Sequence, residues 1–145
     1  MDILNSMKKI LLKFINCGIL GWCIEIIFTS LDSLRKKDFK LMGNTSIWMF
    51  PIYGSFCLLS PLLCIFKKMH WFIRGFLYTI LIFTGEYVAG KWLNKKNMCP
   101  WDYSCSKWNI DRIIRLDYAP LWFLLGLLFE RLLSHKDASL SQDKK

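Results

Sequence analysis

An uncharged stretch from Ser46 to Phe66 is the feature that most limits the folds open to this chain. About 20 apolar residues in a helix are enough to cross the hydrocarbon core of a bilayer. Three more apolar runs cover residues 10–31, 71–90 and 116–133, each with a few charged side chains. We therefore predict an all-α fold, a polytopic membrane helical bundle of about four transmembrane helices with a Trp-rich loop between the third and the fourth.

The charges of the chain lie mainly between these runs, which is how a protein that is 54% hydrophobic also carries a net charge of +9. Basic pairs such as Lys8-Lys9 and Lys67-Lys68 flank the runs, a placement typical of side chains that contact lipid headgroups. We expect the lipid bilayer as a partner, no nucleic acid, and a multi-pass location in the cell membrane. Lys and Arg divide evenly between the two sides of four spans, so the positive-inside rule selects no orientation.

Residues 1–133 are predicted to form a single transmembrane domain, and residues 134–145 a polar, disordered tail. Pro51 and Pro61 lie inside the second apolar run, where each removes a backbone N–H donor from a helix. We therefore expect the second segment to be kinked or broken.

Two carboxylates inside the apolar runs, Glu25 and Glu86, are the candidate intramembrane polar site. Each is the sixteenth residue of its run, and the first and third helices cross in the same direction, so both lie in the same half of the bilayer. A charge at the centre costs about 2.5–3.5 kcal/mol on insertion scales, so each should face the interior of the bundle. The pair could bind a proton, a cation or a substrate. Alternatively Arg112, Arg115 or a Trp or Tyr donor holds each carboxylate, which then only fixes helix packing.

A second polar layer is expected near the opposite surface of the bilayer. Lys13 and Arg74 precede the two glutamates by twelve residues in their runs. The fourth helix runs back across the membrane, which places Glu130 near Lys13 and Arg74, and Asp117 near the two glutamates. We interpret Glu130 as an interfacial residue.

The segment Trp101-Asp102-Tyr103-Ser104 is the candidate loop motif. Trp and Tyr side chains prefer the headgroup zone of a membrane. Asp102 is surrounded by aromatic residues and could hold a cation there. It could instead accept backbone hydrogen bonds in an Asx-type turn that folds the loop onto the helices.

Patterns that carry nucleotide, metal or catalytic chemistry are incomplete in this sequence. The segment from Gly85 to Trp92 approaches the phosphate-binding pattern GxxxxGK, but Trp92 replaces the Ser or Thr that holds magnesium, so we expect no bound nucleotide. No CxxC pair and no catalytic triad occurs, so we expect no enzyme activity, no catalytic residue, no metal and no cofactor. Cys99 and Cys105 share one loop and could form a disulfide in an oxidising compartment.

Several segments resemble, in the same order, the putative ABC-transporter type IV (CmpB-like) family of bacteria and the related animal transmembrane protein 229 family. They are Gly21-Trp22-Cys23-Ile24-Glu25, Gly43-Asn44-Thr45-Ser46-Ile47-Trp48-Met49-Phe50-Pro51-Ile52-Tyr53-Gly54, Glu86-Tyr87, Cys99-Pro100-Trp101-Asp102-Tyr103-Ser104 and Leu116-Asp117-Tyr118-Ala119-Pro120-Leu121-Trp122. The resemblance implies a multi-pass membrane protein and carries over no substrate or catalytic residue. It includes the glutamates and the loop motif that the physical argument selects.

The sequence therefore favours a transport or permease-like component with Glu25 and Glu86 as its polar centre. The alternative is a non-catalytic membrane scaffold or accessory subunit of a larger complex. In either case the partner would be a second copy of the chain or another membrane subunit.

Overall fold

Helix dominates the computed structural model, which describes residues 2–35 and 37–142. Two short 3₁₀ segments, Ser55–Leu59 and Leu116–Tyr118, and one small hairpin interrupt it. The elements are α1 (Asp2–Arg35), α2 (Met49–Gly54), α3 (Ser60–Phe66), α4 (Trp71–Asn94), β1 (Asn109–Ile110), β2 (Ile114–Arg115) and α5 (Ala119–Gln142). The mostly helical fold that the sequence predicts is confirmed.

The chain divides into two compact units between Leu58 and Leu59. We call them the N-terminal unit, with α1 and α2, and the C-terminal unit, with α3, α4, the hairpin and α5. The single domain over residues 1–133 that the sequence predicts stays a prediction, and each unit has its own packing.

Two helices are long and apolar enough, by length and composition, to cross a membrane: Leu4–Arg35 within α1 and Trp71–Asn94, which is α4. Both extend beyond the predicted runs of residues 10–31 and 71–90. A shorter apolar stretch, Met49–Leu63, follows α1. Helix α4 ends at Asn94. Just beyond its end, Asn97 adopts a left-handed φ of 54° and Met98 N donates to Leu93 O at 3.0 Å.

The second apolar run is broken, as its two prolines predict. Helix α2 ends at Gly54, a 3₁₀ segment covers Ser55–Leu59, and α3 begins at Ser60. Each proline lies in the first turn of its helix, where a backbone N–H has no intrahelical partner to lose. The run therefore forms two short helices because proline is compatible only with their beginnings.

Helix α5 differs from its predicted boundaries of 116–133. It begins at Ala119, after the 3₁₀ segment, and continues to Gln142, through most of the segment expected to be a disordered tail. Residues 134–142 contain neither Gly nor Pro, so no helix-stop signal falls at residue 133. The rest of the predicted tail, residues 143–145, lies outside the described residues.

Helices α1 and α2 pack closely because glycines occupy their contact. A side chain on any of these glycines would overlap an aromatic ring of the other helix; the pairs are Gly18 with Phe50, Gly21 with Tyr53 and Gly54 with Phe14. The ring of Phe50 also lies 4.9 Å from that of Trp22, centroid to centroid. In the core of the N-terminal unit, aromatic rings of one helix thus pack directly against the backbone of glycines on the other helix.

Helices α4 and α5 of the C-terminal unit run in opposite directions. Arg74, in the first turn of α4, pairs with Glu130 of α5, and Gly90, near the end of α4, meets Ile113 just ahead of α5. Gly75 and Gly126 lie against Phe123 and Tyr78 respectively. Packing of a glycine against an aromatic ring therefore occurs in both units.

Candidate functional site

The Glu25 carboxylate is held by the phenol of Tyr53. Tyr53 OH donates to Glu25 Oε2 at 3.0 Å, and the tyrosine is buried while the glutamate is half-buried. Gly21 lies one helical turn before Glu25 and accommodates the Tyr53 ring, which directs the hydroxyl along α1. The sequence named a Tyr donor among the groups that could hold this glutamate, and Tyr53 is such a donor. The choice between a ligand site and a packing role for Glu25 stays a prediction.

The segment before α2 is bound to α1 through polar contacts. Trp22 Nε1 donates to Ser46 O at 2.9 Å, and Asn44 N donates to Thr29 Oγ1 at 2.8 Å. Ser33 Oγ lies 3.1 Å from Met42 O. Side chains of α1 thus satisfy backbone groups that would be costly to leave unpaired in an apolar environment. These contacts fix the position from which Tyr53 reaches Glu25.

Glu86 lies on α4 and is half-buried. One turn later, Gly90 allows the side chains of Ile113 and Trp101 to contact the helix. Glu86 belongs to the C-terminal unit and Glu25 to the N-terminal unit. Their joint site therefore stays a prediction.

The loop motif forms the predicted Asx-type turn. Asp102 Oδ1 accepts a hydrogen bond from Ser104 N at 2.8 Å, and the Asp102 side chain is exposed. Trp101 Nε1 donates to Ile113 O at 3.0 Å, and Tyr103 N donates to Arg112 O at 2.8 Å. The loop lies against α4 at Gly90, and the role of Asp102 beyond this turn stays a prediction.

Arg115 organises the beginning of α5. Its Nη2 lies 2.8 Å from Asp117 Oδ2, its Nη1 donates to Tyr118 OH at 2.8 Å, and its guanidinium carbon lies 4.3 Å from the centroid of that ring. Tyr118 makes edge-on contacts with Tyr103 and Trp122 at centroid distances of 5.7 and 6.1 Å. The sequence named Arg115 as a partner for the glutamates, but these contacts commit it to Asp117 and Tyr118.

A buried ion pair joins α4 to α5. Arg74 Nη1 lies 2.9 Å from Glu130 Oε1, and the side chains are 21% and 8% exposed. The hydroxyl of Tyr78 is buried beside this pair. The prediction that Glu130 lies near Arg74 is confirmed, Glu130 is buried against protein, and its interfacial position in a bilayer stays a prediction.

The hairpin is attached to the end of α4 through Asp111. Asp111 Oδ2 accepts from Tyr87 OH at 2.8 Å and lies 3.0 Å from Lys91 Nζ. The Tyr87 hydrogen bond, together with the Lys91 ammonium, holds the pKa of Asp111 below its ordinary value of 3.8. No sequence pattern indicated this contact, because it joins residues from a helix and a turn that are distant in the chain.

Cys99 and Cys105 are both free thiols in the structure. Cys105 is exposed, whereas Cys99 is half-buried and its Sγ lies 3.3 Å from Trp101 O. Within residues 2–35 and 37–142, no group of three or more His, Cys, Asp or Glu side chains is arranged to hold a metal ion.

Two helices of this chain are long and apolar enough to cross a membrane, and Glu25 and Glu130 each pair with a side chain of a neighbouring helix, a combination that suggests a membrane location. The chain belongs to the family described as Putative ABC-transporter type IV, which matches residues 12–141. The match extends from α1 into α5 and includes both units. No solved structure matches this chain. The further resemblance to the animal transmembrane protein 229 family stays a prediction.

Proposed function

We propose that this protein is a multi-pass integral membrane protein that acts as a transport or permease-like component. The transporter family and the two helices of spanning length support this proposal. The broken segment with α2 and α3 and the apolar first half of α5 provide the other two spans. Four spans would put both ends of the chain on one side of the cell membrane.

The hydrogen bond from Tyr53 to Glu25 is the observation that carries the proposal. A carboxylate on a helix of spanning length is costly, and proteins tolerate such groups where they move or bind ions. Tyr53 supplies a hydrogen bond but no positive charge. Glu25 can therefore take up a proton or a cation without first breaking that contact, whereas the Arg74–Glu130 pair is already neutralised.

Glu86 is the second member of the proposed polar site. It occupies the same position in its apolar run as Glu25 does, and it too is half-buried. In a four-span arrangement α1 and α4 cross the bilayer in the same direction. The two carboxylates would then lie at a common depth, as a shared ion or substrate site requires.

A scaffold or accessory subunit is the second candidate function. It is favoured by the fitted contact between α1 and α2, where glycines and aromatic rings leave the Glu25–Tyr53 bond as one packing contact among several. On this interpretation the glutamate fixes the position of two helices, and a larger complex uses the surface that they form.

Two substitutions at the same hydrogen bond separate these functions. Glu25→Gln removes the charge but keeps an oxygen that accepts from Tyr53, and Tyr53→Phe removes the donor but keeps the charge. Purified protein would be reconstituted in vesicles, and the flux of H⁺, Na⁺ and K⁺ followed with enclosed indicator dyes. Transport predicts that Glu25→Gln abolishes a wild-type flux while abundance and protection of the buried Cys57 thiol are retained.

The opposite pattern would overturn the transport proposal. A scaffold predicts that Glu25→Gln behaves as wild type and that Tyr53→Phe lowers abundance or partner co-purification. Labelling the exposed Cys105 with an impermeant maleimide in intact cells, beside a reporter fused to the C-terminus, tests the span number. Four spans predict that the thiol and the C-terminus lie on opposite sides.

A further inference from the structure

A cluster of basic and aromatic side chains covers the C-terminal end of α4 and the neighbouring hairpin. All of its members are exposed, and Trp92 and Trp108 expose 48% and 64% of their surface. We call it the basic-aromatic surface: Trp92, Lys95, Lys96, Lys107, Trp108 and Arg112.

The contacts of Asp111 bring the two parts of this surface together. Asp111 sits at the turn of the hairpin and is bound to Tyr87 and Lys91 of α4. Trp108 O accepts from Leu116 N at 2.9 Å, which closes the base of the same hairpin. These contacts place the turn of the hairpin beside the C-terminal end of α4, so basic and aromatic residues from two distant stretches of the chain lie on neighbouring parts of the C-terminal unit.

Two acidic residues beside this face have basic partners that lie outside it. Asp111 pairs with Lys91 and Asp117 pairs with Arg115, and neither of these basic residues belongs to the basic-aromatic surface. Lys96 Nζ lies 4.3 Å from the centroid of the Trp92 ring, so an aromatic face lies directly under an ammonium group. Such a surface is complementary to a negatively charged group at an apolar boundary.

Arg112 is held in a backbone conformation that suits other residues better. Asp111 and Arg112 have φ of 52° and 62°, and Ile113 N donates to Ile110 O at 3.0 Å, which is the φ pattern of a type I′ turn. Glycine or asparagine favours this left-handed region, and a long side chain is strained there. Arg112, at the second central position of the turn, therefore destabilises the turn and places a guanidinium group at its tip.

We propose that the basic-aromatic surface binds the headgroups of anionic phospholipids in the surrounding bilayer. Lysine and arginine side chains contact the phosphates, and Trp92 and Trp108 lie at the level of the headgroups, where indole side chains are favoured. The inference rests on the proposed membrane location and is independent of whether Glu25 transports anything. Each basic residue near an anionic surface strengthens association by about fivefold.

Spin-labelled lipids measure this preference directly. Protein reconstituted in phosphatidylcholine vesicles is given trace spin-labelled phosphatidylglycerol or phosphatidylcholine, and the motionally restricted fraction gives the relative association constant of the two lipids. We expect the wild type to prefer phosphatidylglycerol and the preference to fall as salt rises. The double variant Lys95→Gln/Lys96→Gln is expected to lose several-fold of it, whereas Lys95→Arg/Lys96→Arg, which keeps both positive charges, should retain it.

Arg112→Gly separates lipid binding from a purely structural role. The variant relieves the strained φ, so the proposal expects equal or greater thermal stability together with about a fivefold weaker preference for phosphatidylglycerol. Asn97→Gly is the control, because it changes a residue at φ 54° without changing charge, and it should bind lipid as the wild type does. Equal preference in wild type, the double lysine variant and Arg112→Gly would overturn the proposal.

Two further measurements keep this test distinct from that of the proposed function. Extraction of membranes with alkaline carbonate shows whether each variant is still integral, and release of the wild type would refute the membrane location itself. Fluorescence anisotropy with a labelled oligonucleotide shows whether the surface prefers nucleic acid, and binding of the oligonucleotide without a preference for phosphatidylglycerol would overturn the assignment to lipid.

Discussion

Gly21 offers the most direct test of how the site is built, because a single added methyl group there meets a residue that holds Glu25. A Cβ at position 21 would overlap both the Cβ and the ring of Tyr53. The overlapped atoms lie close to the backbone of α2, so rotation of the side chain cannot relieve the contact. Gly21→Ala therefore has to displace α2 from α1 or turn the Tyr53 hydroxyl away from Glu25.

The expected loss of free energy of unfolding is obtained by comparing Gly21 with a second glycine, Gly85. Alanine is favoured over glycine inside a helix by about 0.8–1 kcal/mol, and overpacking of a tight contact costs about 1–3 kcal/mol. Gly85 of α4 has nothing within 4 Å of its added Cβ, so Gly85→Ala gains the helix term alone. Both variants gain the helix propensity of alanine, so this gain cancels when their changes in the free energy of unfolding are compared. We expect the change for Gly21→Ala to be less favourable than that for Gly85→Ala by about 1–3 kcal/mol, the cost of overpacking.

Alkylation of Cys57 provides the assay, since this thiol is buried in the N-terminal unit. With every other cysteine replaced by serine, the rate of modification during a titration with sodium dodecyl sulfate reports unfolding of that unit. A matched titration for Gly85→Ala would place the thiol reporter on α4 instead, at the buried position Ile82→Cys, with the exposed position Val88→Cys as the control that is alkylated without unfolding. If Gly21→Ala and Gly85→Ala shift the unfolding midpoints of their own parent proteins equally, the packing argument is refuted.

Two other predictions concern charged contacts of the C-terminal unit. Arg74→Ala is expected to destabilise that unit by about 3 kcal/mol because it leaves Glu130 buried without its partner, while Arg74→Met/Glu130→Leu should be close to neutral; unfolding in detergent checks both. Because the pKa of Asp111 lies below 3.8, its contribution to hairpin docking is fully present above that value and is lost as pH falls through the lowered pKa. Hydrogen exchange of hairpin amides, corrected for the intrinsic rate, should thus be constant from neutral pH to about pH 4.5, and a loss of protection near pH 6 would contradict the assignment.

Local sequence patterns predicted the helical elements well where one physical constraint dominated. The apolar runs at 10–31 and 71–90 became α1 and α4, because length and hydropathy alone define a helix that can cross a membrane. Pro51 and Pro61 predicted the broken segment between them for an equally local reason. The end of α5 was harder to predict, because a polar segment that lacks Gly and Pro can either continue a helix or be irregular.

Pairings over long distances in the chain were predictable only where charge and helix direction limited the choice. Arg74 and Glu130 could be paired in advance, because antiparallel helices put them at one level with opposite charges. The Asx turn at Asp102 could be expected as well, since it needs only residues close in sequence. Tyr53 belongs to one of the segments that resemble the family, yet the residues next to it in the sequence do not indicate that its hydroxyl reaches Glu25.

The sequence by itself determined that this chain is helical, that it has helices suited to a bilayer, and that it belongs to a transporter-related family. Those properties follow from composition and order along the chain. Tertiary structure alone decided that Tyr53 holds Glu25, that Asp111 ties the hairpin to α4, and that Arg115 turns to Asp117. A hydrogen bond depends on a few tenths of an ångström between atoms that packing brings together, and hydropathy patterns carry no information at that scale.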